Sequence, residues 1–257
     1  MHDRITPVIL TGNEAPNLAR TLSRLAWARE IVVVDSGSID GTREIAARHP
    51  GVRVVERPFT THAEQWNFGI QATGITAEWV LALDADFVLS DEAIAELGSL
   101  NPPDAVAGYR ASFDYCIDGR LLRGAAYPPV VVLFRRTRAR YRQDGHTQRV
   151  ELDGRVEPLR GRIRHDDRKP LSHWLASQSR YMKLEVDKLT EAEPGSLGAI
   201  DRLRRAIVIM PPLMFVYCYL LRGGILDGKA GLYYALQRST AEMVLSLYLL
   251  ERRLGRP

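Results

Sequence analysis

The 257-residue sequence predicts an α/β fold: a Rossmann-like, doubly wound mixed sheet followed by a helical extension. Three observations support this expectation. Short β-branched segments alternate with helical segments over the first hundred residues, carboxylates follow two of those segments, and long helical patterns begin near residue 172. We therefore expect one domain over residues 1–170 and a helical extension over residues 171–257.

Four short segments are apolar at successive positions, which is typical of strands buried on both faces of a parallel sheet. They are TPVILT (6–11), IVVVD (31–35), VRVVE (52–56) and WVLALD (79–84). The stretches between them fit crossover helices, which give a right-handed βαβαβαβ order. Ligands of such sheets bind beyond the carboxyl ends of the strands, where several polar residues of this chain collect.

N-cap signals mark where the crossover helices begin. Asp40 precedes a helical pattern over 41–48, and Ser90 precedes another that stops at Gly98. Thr61 and Glu64 form a capping box for a helix that ends near Gly74. Further along, strands are predicted within 105–113 and 128–136, and amphipathic or apolar helices within 173–189 and 233–250.

The composition is that of a globular protein, with 46% hydrophobic and 26% charged residues and a formal net charge of +4. Cys116 and Cys218 form no CxxC pair, so a disulfide framework or a structural zinc site is not expected and a reducing cytoplasm fits. We see no secretory signal pattern at the N-terminus. The arginine-rich runs carry no nucleic-acid motif, so no nucleic-acid partner is expected.

The segment 206–221 is a run of sixteen uncharged residues interrupted by Pro211-Pro212. A membrane-spanning helix needs roughly twenty apolar residues, so a simple span is not predicted. Two interpretations stay open. The segment could belong to a buried helix pair, or it could lie at an anionic membrane surface, because arginines flank it; the second is preferred. These arginines are Arg202, Arg204, Arg205 and Arg222.

Asp84 and Asp86 follow the buried segment 79–83 with one residue between them. Two carboxylates this close repel each other, so a positive partner is expected. A divalent ion, Mg²⁺ or Mn²⁺, would offset that repulsion and neutralise charge on a diphosphate. A DxD triplet alone is a weak signal, and the alternative is a turn in which one aspartate caps the next helix. Its position after a buried strand favours the metal site.

The segment IVVVDSGSIDGT (31–42) ends a strand in Asp35 and continues into a Ser/Gly loop and a helix. Such a carboxylate can accept hydrogen bonds from a base or a ribose, and the loop N–H groups favour nearby anions. The spacing matches neither GxGxxG nor a P-loop, which argues against dinucleotide binding and ATP hydrolysis. No GxSxG elbow is present, so the serines are not nucleophile candidates.

Taken together, VILTGNEAPNL, IVVVDSGSIDGT, AEQWNFG and WVLALDADF resemble the successive signatures of the family 2 glycosyltransferases with a GT-A fold. The segments GHTQRVELDGRVEPLRGRIRH and LRGGILDGKAGLYYA are similar, more loosely, to the bacterial branch that builds lipopolysaccharide core or related envelope glycans. The resemblance implies a hexosyl- or heptosyltransferase that uses a nucleoside diphosphate sugar, most often UDP-linked, with inversion. It further implies a lipid-linked glycan acceptor and a peripheral position on the cytoplasmic face of the inner membrane.

The resemblance also implies roles for individual residues. Those expected at the nucleoside diphosphate sugar are Thr11, Glu14, Asp35, Ser38, Asp40, Gln65, Asn67 and Asp84. Asp86 corresponds to the principal metal ligand, with Asp84 near the ribose and the metal. His165 is a candidate third contact to the metal or the diphosphate, with a surface polar turn as the alternative.

An inverting displacement needs a general base on the acceptor side of the sugar. Where the similar branch commonly has His-Glu, this chain has His146-Thr147, which leaves the base open. Asp144 could supply the missing carboxylate and is our narrow preference. His146 could act as base or contact the metal or phosphate, or it could make an ordinary structural hydrogen bond.

Two other functions are weighed. A nucleotidyltransferase that makes nucleotide sugars also uses paired carboxylates on an α/β sheet, but it would show a Gly-rich loop with Arg or Lys after its first strand. TGNEAPNL (11–18) is not such a loop. A non-catalytic scaffold at the membrane that retained the fold is the third hypothesis, because fold alone does not establish activity. The sequence indicates neither the sugar, the acceptor nor the oligomeric state.

Overall fold

The computed structural model describes residues 1–144, 147–193, 195 and 197–255. The chain divides into two compact units. The first comprises Met1–Gly119, Tyr127–Gln143 and Gln148–Lys169, and the second comprises Arg120–Ala126, Asp144–Thr147 and Pro170–Pro257.

Strands and helices alternate in the first unit, and helices dominate the second. In chain order they are β1 (Ile5–Thr11), α1 (Ala15–Ser23), β2 (Ile31–Asp35), α2 (Thr42–Ala47), β3 (Val52–Glu56), α3 (His62–Gln71), β4 (Trp79–Asp84), β5 (Phe87–Leu89), α4 (Asp91–Ser99), β6 (Val106–Ala111), β7 (Phe113–Ile117), β8 (Arg120–Leu121), β9 (Val130–Arg135), β10 (Ala139–Asp144), β11 (Thr147–Leu152), β12 (Arg155–Pro158), β13 (Ile163–His165), α5 (Leu171–Glu191), α6 (Ala199–Arg204), α7 (Met210–Val216) and α8 (Gly228–Arg253).

A seven-stranded sheet forms the centre of the first unit, in the order β12-β6-β9-β4-β1-β2-β3. The strands β3, β2, β1 and β4 run parallel, while β9 runs antiparallel to both β4 and β6, so the sheet is mixed. The register pairs Thr11 with Asp35 and Leu10 with Asp84. The predicted polar residues at these strand ends therefore share one edge of the sheet, as the parallel arrangement requires.

Helices cover both faces of this sheet, because its strands are apolar on both sides. One buried cluster packs Leu18, Leu22 and Leu97, from α1 and α4, against the sheet. The other packs Trp66 and Ile70 of α3 against the opposite face. This is the doubly wound arrangement that the alternating pattern predicts.

A small sheet brings a distant segment to the end of β4. The strand β13 pairs antiparallel with β5 and parallel with β7, and its residue His165 lies opposite Phe87 and Tyr115. Since β5 begins directly after Asp86, this pairing places His165 beside the two aspartates. No periodicity in the sequence indicates this contact, because β13 is only three residues long.

The predicted helix caps are present with one difference. The hydroxyls of Thr61 and Ser90 accept hydrogen bonds from the backbone N–H groups of Glu64 and Ala93. At α2 the N-cap is Gly41 rather than Asp40. Asp40 still accepts from the N–H of Thr42, because its side chain reaches over the first turn.

In the second unit α8 packs along α5 and α7. Its apolar core includes Met182, Leu189, Leu245 and Leu249. The helix α7 begins at Met210, so Pro211 and Pro212 lie in its first turn. Proline fits there because the first N–H groups of a helix have no intrahelical partner; the two prolines therefore start this helix rather than interrupt it.

A single π-helical turn, Tyr217–Leu221, continues from α7. Within the ranges described above, no helix combines the length and the apolar character that crossing a bilayer requires.

The loop before β13 approaches α4 so closely that only glycine fits. A Cβ on Gly161 would lie 2.4 Å from Ala93 Cα. We expect Gly161→Ala to lower the free energy of unfolding by about 1–3 kcal/mol, because backbone must shift to make room. Urea denaturation measures this. Gly12→Ala is the control, since a Cβ there would lie 3.8 Å from its nearest neighbour, Ser36 Cβ. Equal stability of the two variants would contradict the prediction.

Candidate active site

Asp84 and Asp86 lie at the carboxyl end of β4, next to His165. Asp86 is 8% exposed, and its Oδ2 atom lies 3.1 Å from Nε2 of His165. Asp84 is half-buried. The rings of Phe87, Tyr115 and Tyr127 pack around the imidazole at centroid distances of 4.7–5.3 Å, which fixes its orientation.

The electrostatics of the pair follow from burial and from two cationic neighbours. Burial, reinforced by the charge of Asp86, raises the pKa of Asp84 to about 6. Burial would also raise the pKa of Asp86, but the charge and hydrogen bond of His165, with Lys169 beyond, outweigh it, and this pKa lies below its ordinary value. For the same reason the pKa of His165 is raised despite burial. His165 and Lys169 therefore compensate part of the repulsion between the aspartates.

One carboxylate oxygen of this site has no hydrogen-bond partner among the described residues. Asp86 Oδ1 is buried and makes no hydrogen bond to any described part of the chain, and the same holds for Nδ1 of His165. A buried carboxylate oxygen without a partner costs free energy, which marks it as a position for a ligand. Two carboxylates with an open oxygen fit Mg²⁺ or Mn²⁺, hard cations that accept few protein ligands and keep positions for phosphate oxygens and water.

In the described ranges no three side chains of His, Cys, Asp or Glu form a ready-made ion site. The fit is therefore to an ion held by the two aspartates, with substrate oxygens completing its coordination.

Asp35 has its acceptor positions filled by its own neighbourhood. Its Oδ1 atom accepts from the N–H groups of Gly37 and Ser38, at 3.0 and 2.8 Å. Its Oδ2 atom accepts from the hydroxyls of Thr11 and Ser38, at 2.7 and 2.6 Å. A carboxylate offers about four lone-pair sites, so contact with a base would require one of these hydroxyl bonds to be exchanged.

Glu14 lies at the start of α1 and pairs with Lys169. Its other oxygen accepts from the amide of Asn17 at 2.9 Å, and the same amide donates to Asp167 at 2.8 Å. Burial, with the charge of Asp86 adding to it, raises the pKa of Glu14 to about 7, although Lys169 opposes the shift. These contacts hold the segment after β13 against α1.

Gln65 and Asn67, both on α3, hydrogen-bond to neighbouring protein groups. The amide of Gln65 donates to Ser36 Oγ and to the carbonyl of Arg57, both at 3.1 Å. The amide of Asn67 donates to the carbonyl and accepts from the N–H of Tyr141, each at 2.9 Å. Asn67 thus fastens β10 to α3, while Gln65 braces the loop that follows Asp35.

Asp144, the preferred candidate for the general base, belongs to the second unit. Asp144 ends β10, and its Oδ1 atom lies 3.2 Å from Nζ of Lys188. His146 lies outside the described residues. The remaining expected donor-site residues and the metal candidates, in contrast, all belong to the first unit.

Sequence reasoning did not select Lys169, although this lysine lies close enough to Asp84 and Asp86 to affect the pKa of both. The only signal was its place in HDDRK (165–169), four residues after His165. The tyrosines around His165 were also not selected, because β7 and the segment before β9 come together with β13 only in the folded unit.

Comparison with known proteins identifies the family of the chain. Residues 7–160 match the family model described as glycosyl transferase family 2. The lipopolysaccharide core biosynthesis glycosyltransferase LpsC of Rhizobium meliloti is 27% identical over 255 residues, which cover 90% of this chain and 88% of that protein. An uncharacterized glycosyltransferase of Rickettsia felis is 33% identical over 96 residues, 37% of this chain and 33% of that protein.

Among solved structures, glucosyl-3-phosphoglycerate synthase from Mycobacterium tuberculosis, in complex with phosphoglyceric acid, matches with a TM-score of 0.48 and 16% identity, over 76% of this chain and 83% of that one. Residues 1–349 of TarS from S. aureus match with a TM-score of 0.43 and 12% identity, over 98% of this chain and 92% of that one. Since the family model covers more than half of the sequence, the chain belongs to glycosyl transferase family 2 and is a glycosyltransferase.

Proposed function

We propose that this glycosyltransferase is metal-dependent and inverting, and that it moves a hexose or heptose from a nucleoside diphosphate sugar, UDP-linked by resemblance, to a lipid-linked envelope glycan. The observation that carries the donor half is the buried Asp86, with one oxygen held by His165 and the other open, beside Asp84. The acceptor half draws support from the similarity to LpsC, whose name assigns it to lipopolysaccharide core biosynthesis.

Asp84 and Asp86 would hold Mg²⁺ or Mn²⁺ against the diphosphate of the donor. When bound, the ion would neutralise the negative charge that develops on the diphosphate as the glycosidic bond breaks. His165 supports this role through Asp86 Oδ2, because the hydrogen bond orients the carboxylate and leaves Oδ1 for the ion. We keep His165 as a candidate for a direct contact with the ion or the diphosphate.

At the nucleoside end of the donor, the hydroxyls of Thr11 and Ser38 would release Asp35 to bind the nucleobase. Glu14 would line the nucleoside pocket. The hydroxyls of Thr11 and Ser38 can turn to new partners at little cost, so Asp35 Oδ2 is the oxygen that exchanges. Gln65 and Asn67 would act by keeping the surrounding loop and strand in place rather than by touching the donor.

Inversion requires a base on the face of the sugar opposite the diphosphate. We propose Asp144 as this base, with His146 as the second candidate. The ion pair with Lys188, at 3.2 Å, would hold the carboxylate of Asp144 in position. We further propose that residues 1–170 hold the donor and residues 171–257 serve the acceptor side.

The second unit presents an apolar surface suited to a membrane. The segment between α7 and α8 exposes Leu220, Leu221, Ile225 and Leu226, at 52%, 72%, 51% and 69%. An exposed apolar stripe runs along one side of α8 and ends just beyond it: Leu232, Leu236, Met243, Leu247, Leu250 and Leu254. Large contiguous apolar surfaces mark interaction sites, and this one fits a helix pair lying at the lipid interface.

The charges around this surface favour anionic lipid. Between residues 206 and 250 the exposed charged side chains are Arg222 and Lys229. The acids of the same stretch are occupied inside the unit: Asp227 accepts from backbone N–H groups of Arg123 and Gly124, and Glu242 pairs with Arg204. Arg204, expected from the sequence to flank a membrane, is thus committed to an internal ion pair. We propose that the protein lies peripherally on the cytoplasmic face of the inner membrane.

Asp86→Asn tests the donor site. Because this change removes the charge that would bind the ion while keeping the shape, we expect Mn²⁺-dependent binding of the donor nucleotide and transfer to fall about 100-fold or more, with the unfolding midpoint retained. Calorimetric titration with nucleoside diphosphates, with and without Mn²⁺, measures the loss. Asp91→Asn is the control, since Asp91 is exposed and pairs with Arg24. Unchanged metal-dependent binding in Asp86→Asn would remove the proposal.

Asp144→Asn and His146→Ala test the base. Loss of a general base lowers the chemical step about 100- to 10,000-fold, so we expect one of these variants to lose transfer by that factor while it binds the donor nucleotide normally. Single-turnover transfer assays separate the two effects. Asp153→Asn, an exposed aspartate after β11, serves as the control. Retention of the full rate by both variants would show that the base lies elsewhere.

The double variant Leu221→Glu/Leu226→Glu tests the membrane surface. We expect the wild-type protein to sediment with phosphatidylglycerol vesicles at low salt, and the variant to bind at least about tenfold less, because two charges enter the apolar surface. Leu184→Glu, at an exposed position of α5, is the matched control. Wild-type protein that ignores these vesicles, or that forms dimers which the variant loses, would point instead to a protein contact.

A further inference from the structure

Lys169 is a half-buried lysine, with a side chain only 14% exposed, in the same unit as the paired aspartates. Its Nζ atom forms an ion pair with Glu14 Oε1 and lies 3.9 Å from Asp167 Oδ1. The ammonium also interacts electrostatically with Asp86. It is therefore a cation enclosed among three carboxylates at the donor site.

The charge balance of this site calls for such a cation. Asp84, Asp86 and Glu14 contribute carboxylates to the region that a donor diphosphate, itself an anion, must enter. One divalent ion offsets the charge of the two aspartates and leaves little to offset the diphosphate. Burial strengthens both the attraction and the repulsion, so a fixed ammonium here has a large effect on the binding of phosphate.

We propose, resting on the proposed donor site, that Lys169 binds the diphosphate of the donor, exchanging its ion pair with Glu14 for one with a phosphate oxygen. A lysine suits this exchange because its ammonium is a point charge on a flexible stem with three donors and can move between two acceptors. Glu14 holds the ammonium in place before the donor arrives, which limits the entropy lost on binding.

A second ion pair makes it possible to separate two roles of Lys169: fastening its segment to α1 and supplying positive charge. Arg20 ties the same segment to the same helix α1 through Asp166, at 2.7 Å, without pairing with Glu14 in the part of the chain that the structure describes. If Lys169 served only to fasten this segment, removing Arg20 would have the same consequence. If Lys169 binds phosphate, the two changes affect ligands differently.

The experiment is calorimetric titration of the full chain, in the presence of Mg²⁺, with UDP, GDP, ADP and CDP, followed by the nucleoside of whichever diphosphate binds. We expect Lys169→Met to weaken binding of the diphosphate about 10- to 100-fold while nucleoside binding changes less than about twofold. Lys169→Arg should recover most of the loss, because the charge returns. Arg20→Met should leave the ratio of diphosphate to nucleoside affinity at the wild-type value.

Three outcomes would overturn the inference. Wild-type diphosphate affinity in Lys169→Met would show that the ammonium does not reach the phosphates. Equal weakening of diphosphate and nucleoside, reproduced by Arg20→Met, would show a tether. A wild-type protein that binds none of the four diphosphates would remove the proposed donor site and this inference with it, whereas the first two outcomes leave the donor site intact.

Discussion

The placement of two carboxylates, one buried and one half-buried, at the end of one strand is the constraint on which the proposed donor site depends. Asp84 and Asp86 can both be charged in that position only if cations lie nearby. His165 arrives from β13 and Lys169 from the segment behind it, and both lower the cost of the charge on Asp86. Three features hold His165 and the segment after it in place. They are the close approach of Gly161 to α4, the pairing of β13 with β5 and the aromatic packing around the imidazole.

Two aspartates at the same edge of the sheet differ in how far the protein satisfies their oxygens. Asp35 is fully buried and receives four hydrogen bonds from its own loop and from Thr11. Asp86 is buried almost as deeply but retains an oxygen with no partner in the described chain. Asp35 would meet a ligand only by exchanging one of its hydroxyl bonds, whereas Asp86 has an unmet buried acceptor, which gains more from a new partner than a satisfied one does.

In the second unit, some acidic side chains pair inside the unit while some basic side chains lie at its surface. Arg204, Glu185 and Glu242 pair inside the helical unit, where each satisfies the other, so the acids do not reach the surface of the stretch 206–250. No exposed residue of that stretch is acidic, and its exposed charged residues, Arg222 and Lys229, are basic. The internal ion pairs stabilise the packing of the helices. They also leave an apolar surface with basic neighbours, which suits contact with an anionic membrane.

The local pattern of the sequence was enough to predict the four parallel strands almost to the residue, the caps at Thr61 and Ser90, and the shared edge of Asp35, Asp84 and Asp86. These depend on contacts between near neighbours, on periodicity and on the geometry of parallel sheets. The pairing of His165 with Asp86, the partnership of Lys169 with Glu14, and the saturation of Asp35 join residues separated by up to 155 positions or depend on exact side-chain geometry. Only the tertiary structure decided them, because no local energy term encodes which distant polar groups will meet once the strands have packed.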